Sequence, residues 1–113
     1  MVITMNGNMR TTGTSQRGMM PHVTYLQLCA VFGKPNSQGD GYKVDAEWIG
    51  MIEIGEEIKV FTIYNYKTGR NYLKEEGQRL LDITDWNIGG HEDAVVDLVT
   101  KYFDQECGQL IMR

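Results

Sequence analysis

Basic and aromatic side chains alternate between residues 59 and 79 in a way that suits ligand binding. The stretch contains five bases and three tyrosines, which are Lys59, Lys67, Arg70, Lys74, Arg79, Tyr64, Tyr66 and Tyr72. Tyrosine rings next to basic groups can stack on nucleic-acid bases or hold a nucleotide. Glu75 and Glu76 weaken the positive field, and an ordinary solvated edge is the competing interpretation. The residues of this stretch that we expect to bind a ligand are Tyr64, Tyr66, Lys67, Arg70 and Tyr72.

A second candidate binding site precedes the last predicted helix, where residues 88–91 read Ile-Gly-Gly-His. Free backbone N–H groups at the start of a helix can hold an anion. The two acids that follow would repel a phosphate, so a tight turn is the competing interpretation, with the histidine a solvated residue at the helix start. The residues that this part of the chain adds to the candidate binding set are Trp86, Gly89, Gly90 and His91.

Asp45 and Glu47 are the carboxylates best spaced for acid–base chemistry. They stand two apart on a predicted strand, about 6.6 Å along it. Paired carboxylates can serve as general acid and general base when their environments differ. Lys43 and Glu53 flank them, which favours an ordinary polar sheet face. An enzyme that uses Asp45, Glu47 and His91 is therefore the least favoured hypothesis.

The sequence assigns no catalytic residue, no metal ligand and no cofactor. Neither Ser15 nor Ser37 lies in a nucleophile pattern, and His22 and His91 lack metal-binding spacing. The glycine-rich run at 33–41 does not match a phosphate-binding loop. Whether the protein is an enzyme stays open, and binding is the favoured alternative.

We expect a central β-strand at Tyr42–Ile54 to position the carboxylates. Its apolar side chains occupy alternate positions, namely Tyr42, Val44, Ala46, Trp48, Ile52 and Ile54. A period of two predicts a strand with one buried face. Gly50 interrupts the alternation, so we expect a bend or bulge there.

Two further strands are predicted around the central one. His22–Phe32 is rich in Val, Tyr, Leu and Phe, and the turn-forming run at 33–41 follows it. Ile58–Lys67 follows a short Gly-Glu-Glu connection that is typical of a hairpin. Both faces of this third strand carry apolar groups. Its second face must therefore be covered by residues 1–20, by the 70–88 segment or by another subunit.

The C-terminal part of the chain predicts one amphipathic helix from His91 to Glu106. Its apolar stripe has helical spacing and consists of Val95, Leu98, Val99, Tyr102 and Phe103. Tyr72–Leu81 is expected to be a short helical turn or an irregular strand, residues 82–90 to lead into the helix, and Leu110–Arg113 to fray or add a short edge strand. The predicted fold class is α+β, an antiparallel three- to four-stranded sheet with one C-terminal amphipathic helix packed on one face.

Residues 1–20 differ from the rest of the chain. They contain five of the seven methionines, Met1, Met5, Met9, Met19 and Met20, and show no period. We expect a flexible leader or a segment upstream of an alternative start at Met19 or Met20, although an arm swapped between two subunits would also fit. Residues 21–113 are expected to form a single α+β domain, for which the chain is long enough.

Charge and composition restrict the class of protein. The formal net charge is −4, so the overall field does not attract nucleic acid. No apolar run approaches the roughly 18 residues that a membrane span needs, so no membrane partner is expected. Cys29 and Cys107 are interpreted as two reduced thiols in a cytoplasmic protein.

Three segments are similar to a group of small phage-encoded proteins that share the pattern GDGYKxDAEW…FTIYNYK…DWxIGG. They lie at residues 39–48, 61–67 and 85–90, within a region of somewhat under half the chain. The group has no assigned activity, so the resemblance implies no catalytic residue. Small acidic phage proteins often inhibit a host defence enzyme, such as a CRISPR nuclease, by binding it. Membership of this class implies a host protein as partner and the host cytoplasm as location.

Two binding hypotheses are thus favoured over an enzyme. The first is a phage or prophage accessory protein that blocks or sequesters a host component, with a host protein or a second copy in a homodimer as its partner. Excess apolar surface on the third strand supports it, because such surface predicts a partner. The second is a nucleotide or nucleic-acid binding module that uses the 64–74 edge and the 86–90 turn.

Overall fold

A computed structural model describes the backbone of residues 1–111 and the side chains through Gly108. Within this range the chain forms five β-strands and three α-helices. In chain order these are β1 Val2–Met5, β2 Ser15–Met20, α1 Tyr25–Phe32, β3 Glu47–Ile54, β4 Glu57–Tyr64, α2 Arg70–Leu73, β5 Trp86–Gly90 and α3 Ala94–Ile111. Two short 3-10 turns at Lys74–Glu76 and Leu80–Asp82 connect α2 to β5.

The strands form one antiparallel sheet in the order β1-β3-β4-β5-β2. The predicted α+β class is confirmed, as is the antiparallel sheet with a C-terminal helix. The predicted count of three to four strands is wrong, because the described residues contain five strands in this sheet. No helix between residues 1 and 111 is both long enough and apolar enough to cross a bilayer.

Residues 1–20, expected to be a flexible leader, supply both edge strands of the sheet. β1 pairs with β3, and β2 pairs with β5. Ile3 and Met5 pack against the core, and Met20 is 2% exposed within it. Strand β1 has only four residues, which is too few to show an alternation of apolar and polar side chains. Its partner β3 lies more than forty residues away in the chain.

The strand predicted at His22–Phe32 is wrong, because these residues contain helix α1. Thr24 and Gln27 form a capping box, in which the Gln27 N–H donates to Thr24 Oγ1 at 3.1 Å and the Thr24 N–H donates to Gln27 Oε1 at 2.9 Å. Leu28 and Phe32, one helical turn apart, are its buried residues. This explains why the segment alternates poorly as a strand.

The central strand begins later than predicted, since β3 starts at Glu47. The predicted inward face is largely correct, with Val44, Ala46, Trp48 and Ile52 buried. No bulge occurs at Gly50, because the β3–β4 pairing is continuous along both strands. The predicted hairpin is confirmed, and two residues join its strands.

The segment at 82–90, expected only to lead into the helix, contains β5, which lies between β4 and β2. The predicted C-terminal helix is confirmed as α3, which begins at Ala94 and buries Val95, Val99 and Phe103. The helical alternative for Tyr72–Leu81 is the correct one. For Leu110–Arg113, α3 continues to Ile111, and the last two residues lie outside the described range.

The core lies between the sheet and helices α1 and α3. Trp48 and Trp86 meet edge to face at its centre, with ring centroids 5.5 Å apart. Their indole N–H groups donate to the Gly33 and Val23 carbonyls, at 2.8 and 2.9 Å. Both large rings are thus buried with their polar atoms satisfied, which fixes the strands around them.

The loop at residues 6–14 crosses the whole sheet. It joins Met5 to Ser15, which are the two ends of one row of paired residues that runs Met5, Gly50, Phe61, Gly90, Ser15. Four strand spacings make this row about 19 Å wide, which nine residues can span. Because α1 and α3 occupy one face, the loop has to cross the other, where Ile49 and Thr62 are 5% and 3% exposed. Residues 1–20, the 70–88 segment and another subunit were the three candidates to cover that face, and residues 1–20 cover part of it.

We predict that Gly50→Ala destabilises the protein. An added Cβ would lie 2.7 Å from the Phe61 ring and 2.9 Å from the Met5 sulfur. Overpacking of this kind costs about 1–3 kcal/mol, which urea denaturation measures. Gly108→Ala is the control, because within the described residues nothing lies within 4 Å of its added Cβ. In helix α3 that change should stabilise by about 0.5–1 kcal/mol. Equal effects of both changes would contradict the packing role of Gly50.

Candidate functional site

Three tyrosines and one lysine meet beyond the end of β4, and we call Tyr42, Tyr66, Lys67 and Tyr72 the tyrosine–lysine cluster. Lys67 Nζ lies 5.4 Å from the ring centroids of both Tyr66 and Tyr72. Tyr42 meets Tyr72 edge to face, with centroids 5.2 Å apart. Tyr42 and Tyr66 are 52% and 45% exposed. The cluster therefore presents aromatic surface around a cation to the solvent.

A buried amide, Asn65, holds the cluster to the sheet. Its side chain is fully buried, and Oδ1 accepts the backbone N–H groups of Asp45 at 2.8 Å and Ala46 at 3.1 Å. Its Nδ2 donates to Asp45 Oδ1 at 2.9 Å and to Thr68 Oγ1 at 3.4 Å. The amide thereby ties the end of β4 to the segment that enters β3.

Asp45 extends this network to helix α2. Its Oδ2 accepts the backbone N–H of Asn71 at 3.3 Å, and the Asn71 side chain donates to the Val44 carbonyl at 3.2 Å. Gly69 lies so close to the Asp45 carboxylate that a Cβ would overlap it. These contacts fix the first turn of α2, and therefore the position of Tyr72.

Lys67 in the cluster and Lys74 just after α2 both have a positive φ angle, which side chains with a Cβ rarely adopt. Lys67 has φ 60° and Lys74 has φ 58°. For a residue with a Cβ this conformation costs about 1–2 kcal/mol, and glycine or asparagine would occupy it more cheaply. The Lys67 N–H donates to the Lys43 carbonyl at 2.7 Å, which holds the strained residue in place. Such strain is typical of functional sites.

The five bases of the 59–79 stretch divide into two groups. Lys59 pairs with Glu92 at 2.8 Å, and Arg79 pairs with Asp82 at 2.8 Å. In the part of the chain that the structure describes, Lys67, Arg70 and Lys74 have no carboxylate within 4.0 Å. Arg70 and Lys74 line a cavity of about 310 Å³ together with Glu75. The three cations without a carboxylate partner thus lie at or next to the cluster.

Asp40 shapes the loop that carries Tyr42. Its Oδ1 accepts the backbone N–H groups of Tyr42, Lys43 and Val44 at 2.9, 2.8 and 3.3 Å. The Tyr42 N–H bond, followed by the other two bonds and the Lys43 charge, lowers the pKa of the Asp40 carboxyl. The ionised form of Asp40 is therefore the one that orders this loop.

Tyr64 lies beside the cluster on the sheet face away from the helices. It pairs with Glu47 on one side and Asn87 on the other. Burial raises the pKa of its hydroxyl, and the charges of Glu47 and Tyr66 raise it further. The ring is half-buried, so it adds less open surface than Tyr66 does.

The turn predicted at residues 88–91 is wrong. Trp86, Gly89 and Gly90 belong to strand β5. Trp86 is fully buried in the core. A Cβ on Gly89 would lie 2.5 Å from Thr62 Oγ1, and one on Gly90 would lie 2.8 Å from Val95. These glycines permit close packing of neighbouring elements, and they are not at a helix start.

The structure does not bring Asp45, Glu47 and His91 together. Glu47 accepts a hydrogen bond from the Ser37 hydroxyl at 2.6 Å. His91 is exposed, and its carbonyl accepts from Arg17. From the strand register, Glu47 and His91 are roughly 16 Å apart. Between residues 1 and 111, no three His, Cys, Asp or Glu residues are placed to hold a metal ion.

Sequence reasoning found three of the four cluster residues and missed Tyr42. It placed Tyr42 on the buried face of a strand that in fact begins five residues later. It also missed Asn65, whose only signal is an amide between two tyrosines, one residue past the end of β4.

No family model, no curated protein and no solved structure matches the chain.

We predict that Asn65→Ala destabilises the protein by about 2–4 kcal/mol, because the buried Ala46 N–H and the partly buried Asp45 N–H lose their acceptor. Asn65→Asp is the matched variant, since it keeps that acceptor. Its second oxygen would face Asp45 Oδ1, 2.9 Å from the present Nδ2. The introduced carboxyl should then hold its proton to a higher pH when folded than when unfolded. Its penalty should appear as pH rises above about 4 and disappear below it, unlike that of Asn65→Ala.

The Asp40 carboxyl predicts an acid-sensitive loop. Because its pKa is lowered on folding, its contribution is fully present above 3.8, the ordinary value, and is lost as pH falls through the lower folded value. The amide signals of Tyr42 and Val44 in NMR spectra should therefore shift with a midpoint below pH 3.8. Asp40→Asn, which keeps an acceptor oxygen, should remove that transition without disordering the loop. The same transition in Asp40→Asn would show that another group causes it.

Proposed function

We propose that the protein acts by binding, as a phage or prophage accessory protein that captures a component of its host through the tyrosine–lysine cluster. The observation that carries the proposal is the cluster itself. Its exposed tyrosine rings are supported by the hydrogen-bond network of Asn65 and Asp45. Capture of a defence component, in the host cytoplasm, would block that component. The resemblance of residues 39–90 to small phage-encoded proteins supports this setting.

The composition of the cluster supports a binding role. Tyrosine is among the residues that contribute most to binding energy, because it offers a large surface with few rotatable bonds. Tyr42 and Tyr66 are about half exposed, so their rings can contact a partner. A charged side chain between the rings adds an interaction that depends on geometry. Such a group of residues is suited to contact with a partner.

The rigid base of the cluster lowers the entropic cost of binding. Asn65 and Asp45 fix both ends of the segment that carries Tyr66, Lys67 and Tyr72. Side chains and loops that are ordered before binding lose less conformational freedom when the partner arrives. The backbone of Lys67, with its positive φ, is held by the hydrogen bond from its N–H to the Lys43 carbonyl. The strain is thus maintained by the fold in the free protein.

The proposal predicts that the protein protects phage from a host defence system. Bacterial strains that each carry one defence system, a CRISPR nuclease among them, would be infected with and without the expressed protein. Plaque formation should rise in at least one strain. Tyr66→Ala and Lys67→Asn should abolish the rise, because they remove an exposed ring and a cation without disturbing the core. Lys67→Asn also keeps a residue that tolerates the left-handed backbone.

Leu26→Ala is the control for the infection assay. Leu26 lies on α1, is 65% exposed and is not part of the cluster. The control should protect as the unaltered protein does, and all three variants should keep the melting temperature within a few degrees. If the cluster variants protect fully, or if no strain is protected, the proposed function is wrong.

A further inference from the structure

Strand β1 forms an open edge of the sheet. Its pairing with β3 runs without a bulge from Val2 to Met5, and these residues include no charged side chain and no proline. Bulges, charges and prolines protect an edge strand against pairing with another chain. The opposite edge has two of these features, because β2 is bulged between Gln16 and Gly18 and carries Arg17 there. The two edges therefore differ, and β1 is the one that can accept a further strand.

The outward hydrogen-bonding groups of β1 are those of Ile3 and Met5. The Asn6 N–H donates to the Ile49 carbonyl on β3 at 2.9 Å. Backbone groups of successive residues point to alternate sides of an antiparallel strand, so those of Thr4 face β3 and those of Ile3 and Met5 face away. Outside the β1–β3 pairing, no backbone hydrogen bond among the described residues involves Ile3 or Met5. Two donors and two acceptors are thus available on this edge.

Pairing of β1 with the β1 strand of a second copy satisfies all four groups. With a two-fold axis at Thr4, Ile3 lies opposite Met5 of the other copy, and each such pair exchanges two hydrogen bonds. The Thr4 side chains, which are exposed in a single copy, then lie opposite each other. Threonine pairs of this kind stabilise neighbouring antiparallel strands.

Ile3 and Met5 also offer apolar contacts to a second copy. Both side chains pack against the core and are only half-buried. In the two-fold pairing each Ile3 lies directly opposite a Met5, so each covers part of the other. A foreign strand would need apolar side chains at the same two positions, whereas a second copy has them. The edge is therefore complementary to itself.

The charges near β1 permit two copies to approach. The net charge of −4 makes them repel at long range. Glu53, which pairs with Val2, is the carboxylate of β3 nearest to Thr4 in the register. In the two-fold arrangement the two Glu53 residues would lie roughly 20 Å apart, more than twice the Debye length of about 8 Å at physiological salt. Their repulsion at the contact is therefore largely screened.

We propose that β1 is a self-association surface, through which two copies of the chain join antiparallel about a two-fold axis at Thr4 to form one continuous sheet. The proposal is independent of the proposed function, but it adds a consequence. The cluster lies beyond the end of the sheet where β3 begins, and Met5 points toward that end. Antiparallel pairing of β1 therefore directs the two clusters in opposite directions, so a dimer can bind two partners at once.

Sedimentation velocity and NMR test for the dimer directly. Association should be weak, because a strand of four residues buries less than the standard interface of about 1,600 Å². Over a range of about 5–500 μM the mass should rise reversibly from one copy toward two. Hydrogen exchange of the Ile3 and Met5 N–H groups should slow over the same range, while exchange in β2 should not change.

Thr4→Lys and Thr4→Glu test the position of the axis. Each variant places like charges directly opposite each other and removes the threonine pair, which should weaken association about 2- to 30-fold. A mixture of the two variants pairs Lys with Glu and should associate at least as tightly as the unaltered chain. Thr4 is exposed, so the melting temperature at low concentration should stay within a few degrees.

Met19→Lys is the matched control. Met19 is 49% exposed and lies on the same sheet face as Thr4, but on the other edge strand. This change should leave association as it is in the unaltered chain. An unchanged affinity in both Thr4 variants, or a loss of association in Met19→Lys alone, would overturn the proposal.

Two further outcomes would also overturn the proposal. One is a mass of a single copy at every concentration. The other is a mixture of Thr4→Lys and Thr4→Glu that associates no better than either variant alone, because the two-fold pairing requires rescue. Since association is measured without any host component, these results leave the capture of a partner by the cluster to the infection assay.

Discussion

The buried amide of Asn65 is the constraint on which the arrangement of this protein's exposed end depends. Two consecutive N–H groups, the partly buried one of Asp45 and the buried one of Ala46, would lose their acceptor if the amide were absent. A buried donor without a partner costs about 1–3 kcal/mol of stability. If the chain continued as a straight strand past Tyr64, the Asn65 amide could not reach these donors and the protein would lose that stability. Among the described residues, every buried side-chain polar atom has a hydrogen-bond partner, so the network is complete. The chain therefore turns at Asn65, and the tyrosines lie on either side of the turn.

The sheet itself depends on close approach at glycines. Gly50 admits the Phe61 ring, Gly90 admits Val95, and Gly18 admits Val96. Each contact brings a helix or a neighbouring side chain against the backbone of a strand, at a distance that a Cβ would prevent. Residues 1–20 complete the sheet at both edges and cross its open face, so they are structural here. The rigid sheet and the strained exposed end are thus separated along the strands.

The parts of the fold that could be predicted are those whose signal is local and long enough to show a period. Helix α3 and the β3–β4 hairpin have such signals, with a five-residue apolar stripe in one and a short glycine turn in the other. Strands β1 and β5 have only four and five residues, and their pairing depends on partners distant in the chain. Helix α1 has a weaker sequence signal, because its Val, Tyr and Phe residues favour a strand and only the capping box at Thr24 favours a helix. The candidate site was predictable in part, since spacing placed tyrosines and bases in one stretch, but only a hydrogen-bond network could show that Tyr42 joins them.

Left-handed Lys67 shows how the exposed end combines these effects. The backbone strain of about 1–2 kcal/mol is unfavourable for the free protein, and a glycine would avoid it. A glycine, however, would leave Tyr66 and Tyr72 without the ammonium that lies 5.4 Å from each ring centroid. The attraction between an exposed ammonium and a tyrosine ring is about 0.5–1 kcal/mol, and two rings at most offset the strain. Stability alone therefore gains little from this lysine, and under the proposed function its ammonium adds to the contact with the partner, where desolvation would strengthen its interactions.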